Sequence, residues 1–133
     1  MLKQINVGII GTGWCGGIRA NACDASPLVD KLYIAEQNPE RLKELSSQLK
    51  LEGFTDDWLQ LIQNPDIDTI IISATPETTH YPMALKALEV GKNVFLEKPI
   101  ATTLIEADHL IETSIKNNVK FTIGYSQRFN AKY

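Results

Sequence analysis

A glycine-rich segment near the amino terminus has the residue types and spacing that bind phosphate groups. The apolar, β-branched run from Ile5 to Ile10 precedes it, which predicts a buried strand, and a helix is expected to begin at its fourth residue. In this context the first glycine permits a tight turn, the second lets a pyrophosphate approach the backbone, and the third allows helix and strand to pack closely. Free N–H groups at the helix N-terminus would then bind the phosphates of a dinucleotide. The segment reads G-x-G-x-x-G and consists of Gly11, Thr12, Gly13, Trp14, Cys15 and Gly16.

An acidic residue, Glu36, stands where the second predicted strand ends, 20 positions after Gly16. A carboxylate there can accept hydrogen bonds from an adenosine ribose diol, and its charge would repel a 2′-phosphate. The pattern therefore predicts binding of NAD in preference to NADP. Two alternatives stay open at this point: Glu36 could be a solvated acid before a helix, and Arg41, one turn into that helix, could reach a phosphate.

The two residues between the second and third glycines differ in what they can contribute. Cys15 is expected to pack inward as a small apolar side chain rather than to act as a nucleophile. Trp14 could lie beside the cofactor or on the open surface. With Thr12, both are counted among the residues of the predicted cofactor site.

The rest of the chain alternates between short apolar strands and amphipathic helices. This alternation predicts an α/β fold with a doubly wound parallel sheet of six strands in the order 3-2-1-4-5-6, and with helices on both faces. Residues 1–133 are all assigned to this one dinucleotide-binding domain. The strands are expected at 5–10, 31–36, 53–54, 69–74, 93–97 and 120–125.

Several residues mark the expected ends of helices. Asn38 followed by Pro39 is typical of a helix N-terminus, and Gly91 is suited to end a helix. Thr103 and Glu106 have the spacing of a capping box. A short helix over 57–62 is expected to be capped by Thr55 or Asp56.

Composition excludes several classes of function. The net charge is −3, the pI is near 5.3, and no cluster of Lys or Arg stands out, so nucleic acid and anionic membranes are not expected partners. No apolar run approaches the roughly 20 residues needed to cross a bilayer, and the amino terminus has no signal-peptide pattern. Cys15 and Cys23 lie eight positions apart without clustered histidines, which suits neither a metal site nor a disulfide framework. Reduced thiols and a cytoplasmic location are therefore expected.

Four segments together resemble a known family of oxidoreductases. In this order and spacing they are similar to the glucose-fructose oxidoreductase/inositol dehydrogenase/rhizopine-catabolism (Gfo/Idh/MocA) family, over essentially the whole chain. The tripeptide E-K-P, which follows a predicted strand and a G-K-x-V turn, is the most specific element. The segments are the glycine loop, Ala74-Thr75-Pro76 with His80, Gly91 to Pro99 (GKNVFLEKP) and Gly124 to Phe129 (GYSQRF).

The resemblance implies that Lys98 is the catalytic residue. In the family, the lysine of E-K-P hydrogen-bonds the hydroxyl or carbonyl oxygen that reacts. Hydride transfer builds negative charge on that oxygen, and a fixed ammonium group stabilises it. Glu97 could pair with Lys98 or contact the nicotinamide ribose.

The resemblance also implies roles for residues around the nicotinamide end of the cofactor. Thr75 and Pro76, next to Ala74, would line the nicotinamide-ribose side. His80 could transfer a proton, although a structural place at the start of a helix is favoured. Arg128 could contact the substrate or the nicotinamide, or be an exposed residue near the C-terminus.

At two positions the chain departs from the family pattern. Glu77 stands where the family often has Asn after the Thr-Pro pair, which puts one cofactor hydrogen bond in doubt. Arg19 stands where the family often has His shortly after the glycine loop.

The implied function is the cofactor-binding half of an oxidoreductase that transfers hydride between NAD(P) and a sugar- or polyol-type secondary alcohol or its ketone. The substrate domain of the family, with its Asp/His proton-transfer pair, is absent from these 133 residues. They are therefore expected to bind cofactor without efficient turnover, and to self-associate through apolar surface near the last strand. The alternatives are a non-catalytic NAD-binding module, acting as a sensor or a partner's subunit, and an S-adenosylmethionine methyltransferase, in which E-K-P would have no role.

Overall fold

A computed structural model describes residues 2–132 and shows one six-stranded sheet among them. The strand order is β3-β2-β1-β4-β5-β6, and every neighbouring pair is parallel. This confirms the predicted doubly wound arrangement. The strands are β1 (Ile5–Ile10), β2 (Val29–Ala35), β3 (Gly53–Thr55), β4 (Thr69–Ile72), β5 (Asn93–Glu97) and β6 (Phe121–Gly124).

Helices cover the sheet from both sides. Two of them pack on one face, where their apolar residues join those of β1 and β2. Three lie on the other face, where their apolar residues form one core with residues of β1, β2, β4 and β5. Within residues 2–132, no helix is long and apolar enough to cross a membrane. The first pair is α1 (Trp14–Ala25) and α2 (Pro39–Gln48), and the second group is α3 (Trp58–Gln63), α4 (His80–Glu89) and α5 (Leu104–Lys116).

The alternation of side chains along the strands divides the core in two. In β1, Val7 and Ile9 belong to the core beneath α1 and α2, whereas Ile10 belongs to the other core. All three are at most 3% exposed, and burying each such side chain contributes about 1.5–3 kcal/mol. Because both faces are buried, the central strands are mostly apolar, as in other parallel sheets.

The helix-end signals are confirmed at α2 and α4. The Asn38 side chain accepts hydrogen bonds from the N–H groups of Glu40 and Arg41, at 3.0 and 3.1 Å. Gly91, just after α4, has a φ of +83°, which a residue with a side chain rarely adopts.

The predicted caps of α3 and α5 need correction. Asp57, not Thr55 or Asp56, caps α3 by accepting from the N–H group of Leu59 at 2.9 Å. At α5, Thr103 accepts from the Glu106 N–H group as expected. The Glu106 carboxylate, however, accepts from the N–H and hydroxyl of Thr102 rather than from Thr103, so the box is not reciprocal.

Candidate functional site

The residues singled out from the sequence lie mainly at the carboxyl edge of the sheet. The glycine loop follows β1, Glu36 follows β2, the segment from Ser73 to Pro76 follows β4, and Lys98 follows β5. Since β1 lies between β2 and β4, the connections after β1 and β4 lead to opposite faces of the sheet. This is the crevice in which open α/β sheets bind ligands.

The glycine loop packs too closely for side chains at two of its positions. Gly11 has a φ of +81°, and a Cβ atom there would lie 2.7 Å from the Cα atom of Ala74. A Cβ atom at Gly16 would lie 2.0 Å from the carbonyl oxygen of Gly11. Both distances are shorter than van der Waals contact. The loop, α1 and the turn after β4 can therefore pack this closely only because these residues are glycines.

Gly13 differs from the other two, because a Cβ atom there would meet nothing within 4 Å. Gly13 is the N-cap of α1 and provides no side-chain hydrogen bond, and the first turn of α1 has no acidic residue. The Gly17 N–H group donates to Gly13 at 2.7 Å; within residues 2–132, the N–H groups of residues 14–16 have no protein acceptor. An open helix N-terminus with free N–H groups fits a pyrophosphate.

Glu36 is tied to the glycine loop through Thr12. Its Oε2 atom accepts hydrogen bonds from both the N–H group of Thr12, at 3.0 Å, and the Thr12 hydroxyl. Its Oε1 atom accepts from the N–H group of Asn38 at 2.9 Å. Thr12 is fully buried. Glu36 Oε2 is therefore the acceptor that the buried N–H and hydroxyl groups of Thr12 need.

These contacts keep Glu36 negatively charged. Burial raises the pKa of the Glu36 carboxyl, but the hydrogen bond from the Thr12 side chain and those from backbone N–H groups outweigh it. The net effect lowers the pKa below its ordinary value. A negative charge therefore stands at the end of β2 at neutral pH, where the sequence pattern predicts the adenosine ribose.

Arg41 of α2 also contacts the glycine loop. Its Nε atom donates to the carbonyl oxygen of Thr12 at 3.0 Å, and its Nη1 atom lies 2.8 Å from Oε2 of Glu44. A Cβ atom at Gly17 would lie 2.6 Å from Arg41 Nη2. In this structure the guanidinium group is thus engaged with the protein, and it is not extended toward open space.

His80 joins the turn after β4 to the turn after β5. Its ring is 2% exposed; Nδ1 lies 2.8 Å from the carbonyl oxygen of Pro99, and Nε2 lies 3.0 Å from that of Ala74. Thr75 and Pro76 themselves are exposed. Since both ring nitrogens are directed at backbone oxygens, the geometry supports the structural role of His80 over proton transfer.

Glu97, the last residue of β5, pairs with Arg19 of α1 and not with Lys98. Arg19 Nη2 lies 2.5 Å from Glu97 Oε2, and both side chains are mostly buried. The Arg19 guanidinium also lies over the ring of Phe95, 5.0 Å from its centroid. From the sequence, Arg19 was only a departure from the family pattern. The sequence feature that could have indicated its role is the position of a charged residue one turn after Gly16, on a helix that packs against the sheet.

Lys98 is the first residue after β5, and its side chain is exposed. Among residues 2–132, its Nζ atom has no hydrogen bond or ion pair to another side chain. An ammonium group that no carboxylate of these residues neutralises can donate to a substrate oxygen beside the crevice.

The remaining predicted residues lie at the rim. Trp14 is 83% exposed at the start of α1, whereas Cys15 is half-buried and free. Arg128 lies in the exposed turn Ser126–Phe129, with its guanidinium carbon 5.7 Å from the centroid of the Tyr125 ring. The structure therefore shows Arg128 beyond β6, with its guanidinium group over the ring of Tyr125.

Sequence reasoning did not identify Ser73, which lies beneath the loop. Its side chain is 9% exposed, and its hydroxyl has no hydrogen-bond partner within residues 2–132. A Cβ atom at Gly16 would lie 3.3 Å from the Cβ atom of Ser73, so this hydroxyl group is held between β4 and α1. Across the same described range, no group of three or more His, Cys, Asp or Glu side chains could hold a metal ion.

Comparison with known proteins assigns this geometry to a family. Residues 5–125 match the Gfo/Idh/MocA family model, described as an oxidoreductase family with an NAD-binding Rossmann fold. The chain belongs to this family. The doubly wound sheet, the glycine loop and the E-K-P turn are therefore features of a Gfo/Idh/MocA nucleotide-binding domain, as the sequence resemblance predicted.

Two of the similar proteins are dehydrogenases with named substrates. The levoglucosan dehydrogenase of Pseudarthrobacter phenanthrenivorans is 33% identical, over 96% of this chain and 34% of its own length. The scyllo-inositol 2-dehydrogenase (NAD(+)) of Bacillus subtilis is 29% identical, over 100% of this chain and 39% of its own length. The chain thus spans little more than a third of the length of these relatives.

A solved structure with bound ligands has the same fold. The scyllo-inositol dehydrogenase from Lactobacillus casei, with bound NAD(H) and scyllo-inositol, superposes with a TM-score of 0.90 at 30% identity. The match covers 98% of this chain and 39% of that structure.

Proposed function

We propose that residues 1–133 bind NAD(H) as the cofactor half of an oxidoreductase that transfers hydride between NAD and a sugar- or polyol-type secondary alcohol or its ketone. The observation that carries this proposal is the arrangement along one sheet edge. The uncapped N-terminus of α1 at Gly13 has the charged Glu36 on one side and Lys98 on the other. Since a dinucleotide spans such a crevice from one half of the sheet to the other, one molecule would meet all three features.

The adenosine end supports NAD in preference to NADP. The Glu36 carboxylate is ionised and held in place by Thr12 and Asn38. Its lone pairs beyond those bonds suit the 2′- and 3′-hydroxyls of a ribose, whereas a 2′-phosphate would meet a like charge. Arg41, the residue that could compensate, donates to Thr12 and pairs with Glu44.

The reacting end is assigned to Lys98. Accepting or donating a hydride is the chemistry that the nicotinamide supplies when bound. Lys98 would donate a hydrogen bond to the alcohol or carbonyl oxygen of the substrate and stabilise the negative charge that develops there. Thr75 and Pro76, on the turn that His80 anchors, would line the nicotinamide-ribose side.

These residues alone are proposed to bind cofactor without efficient turnover. Hydride transfer needs the alcohol held close to the nicotinamide ring and a base for its proton. Lys98 is one exposed side chain and supplies neither the walls of a substrate pocket nor a second proton-transfer group. Substrate assays with NAD and a panel of inositols and sugars should show no NADH formation by this chain; rates comparable to those of a full dehydrogenase would refute the proposal.

Calorimetric titration with NAD and NADP tests the binding proposal. The wild-type chain should bind NAD more tightly than NADP. In Glu36→Gln the difference in affinity should be smaller, because NAD binding weakens and the 2′-phosphate of NADP is no longer repelled. Glu52→Gln is the matched control, because Glu52 is an exposed acid away from the glycine loop whose nearest cation, Lys31, is 3.9 Å away. Equal affinity for the two cofactors in the wild type would refute the assignment of Glu36.

The exposed apolar surface beyond β6 supports the proposal that the isolated chain self-associates. Tyr125 is 46% exposed and Phe129 is 82% exposed, and such surfaces favour association. Sedimentation velocity should show association that rises with concentration and falls in Phe129→Ser. A monomer at all concentrations would contradict it.

A further inference from the structure

We propose that Arg19 is a positioning residue for the nicotinamide half of the dinucleotide, and that it acts through Glu97. The inference rests on the proposed function, because it concerns where the bound cofactor lies. It assigns a role to a residue that departs from the family pattern.

Arg19 is fixed by three elements of the fold. It projects from α1, its guanidinium stacks on Phe95 of β5, and its Nη2 atom pairs with Glu97 at the carboxyl end of the same strand. On β6, a Cβ atom at Gly124 would lie 3.0 Å from Arg19 Nη2 and 2.9 Å from Phe95 Cζ. A larger residue at this end of β6 would therefore displace the guanidinium group or the Phe95 ring.

This arrangement orients the Glu97 carboxylate. Its Oε2 atom is buried and forms an ion pair with Arg19 Nη2, 2.5 Å away, without the alignment of a hydrogen bond. Its Oε1 atom accepts no hydrogen bond within residues 2–132 and is not among the buried atoms. The attraction between the two charges at this distance keeps Oε2 turned inward, toward α1. Oε1 is then available to a ribose hydroxyl on the nicotinamide side, next to Lys98.

The same pair lies in the nicotinamide half of the proposed site. The N-terminus of α1 carries the free N–H groups for the pyrophosphate, and Arg19 lies on that helix, one turn after Gly16. Because β5 and β6 belong to the half of the sheet opposite to Glu36, the pair can influence the nicotinamide half without touching the adenosine half. This selectivity separates a positioning role from a merely structural one.

Titration with ADP and with NADH tests the inference, since ADP lacks the nicotinamide half. Arg19→Ala should weaken NADH binding about tenfold, the size expected for one displaced hydrogen bond to a charged group, and change ADP binding by less than about twofold. Glu97→Gln should give the same pattern, and the double variant should lose little more than either single variant. Arg19→Lys should recover part of the NADH affinity.

The controls decide between the possible outcomes. Lys43→Ala removes one positive charge from the exposed side of α2 and should alter neither affinity. Thermal melting of each variant establishes that it is folded. If Arg19→Ala weakens ADP and NADH equally, or weakens neither, the inference is wrong while the proposed function stands. If the wild-type chain binds neither ligand, the proposed function fails and the inference fails with it.

Discussion

The hydrogen bonds between Glu36 and Thr12 should stabilise the fold even without cofactor. Replacing Glu36 with Ala removes the acceptor for the N–H group and the hydroxyl of Thr12, which is 0% exposed. A buried donor left without a partner costs about 1–3 kcal/mol. Because Glu36 itself is half-buried and water can reach part of the gap, we expect a loss of about 2–3 kcal/mol in the free energy of unfolding.

Glu36→Gln should cost less, about 1 kcal/mol, because its amide oxygen can still accept from Thr12 but without the charge. The difference between wild type and this variant should also depend on pH. Since the pKa of Glu36 is lower in the folded chain than its ordinary value of 4.5, its contribution is present above that value and is lost as the pH falls through the folded pKa. The two proteins should therefore converge in stability on acidification below about pH 4.5.

Urea unfolding followed by circular dichroism, at pH 7 and in steps down to pH 3.5, measures both effects. The control is Glu52→Gln, which removes the same charge from an exposed position on the β2–β3 connection. An Ala variant as stable as wild type at pH 7 would refute the reasoning. So would a difference between wild type and Glu36→Gln that grows as the pH falls.

Two further substitutions test the contributions of individual buried polar groups. Lys92→Met should destabilise the chain by about 2–3 kcal/mol, because the buried Lys92 ammonium donates to the carbonyl oxygens of Asn64 (2.8 Å) and Ile67 (2.7 Å). NAD affinity measured on the folded variant should not change, since Lys92 precedes β5 at the amino edge of the sheet. A loss of NAD affinity would contradict the placement of the site at the carboxyl edge. Ser73→Ala should raise the free energy of unfolding by about 1 kcal/mol, because it removes a buried hydroxyl without a partner within residues 2–132. A less stable variant in urea unfolding would show that this hydroxyl group is paired.

The sequence predicted the order of the strands correctly because the signals for it are local and repeated. Apolar β-branched runs alternate with amphipathic helices, and parallel strands joined by helices allow few arrangements. The end of β4 was harder to place. Ser73 and Ala74 follow the apolar run directly and were predicted as part of the strand, but β4 ends at Ile72. The backbone of Ala74 lies close to Gly11 instead.

Helix caps show a second limit. Thr55, Asp56 and Asp57 are consecutive residues that can all cap a helix, and only the backbone geometry selects Asp57. At α5, the Glu106 side chain reaches Thr102, one residue further than the capping-box pattern implies.

The side-chain partners within the site depend on contacts between distant segments. The spacing of Glu36 from the glycine loop predicted its place at the end of β2, but not that Thr12 would occupy one of its oxygens. The pairing of Glu97 with Arg19 depends on how α1 lies across β5. No pattern within either segment contains that information, so E-K-P alone suggested Lys98 as the partner.

Gly13 offers the most direct test of the claim that a dinucleotide binds at the N-terminus of α1. Its φ of −60° suits any residue, and a Cβ atom there meets nothing within 4 Å, so Gly13→Leu should fold as wild type does. The added side chain would occupy the space through which the pyrophosphate reaches the free N–H groups. Ala22→Leu adds the same side chain to an exposed position further along α1 and is the matched control.

Calorimetric titration of these three proteins with NAD should show wild-type affinity for Ala22→Leu. For Gly13→Leu it should show a loss of about 100-fold or more, the effect of losing one or two hydrogen bonds to charged phosphates. Thermal melting should give similar transition temperatures for all three. If Gly13→Leu is folded and binds NAD as wild type does, the cofactor does not approach α1 and the account is wrong.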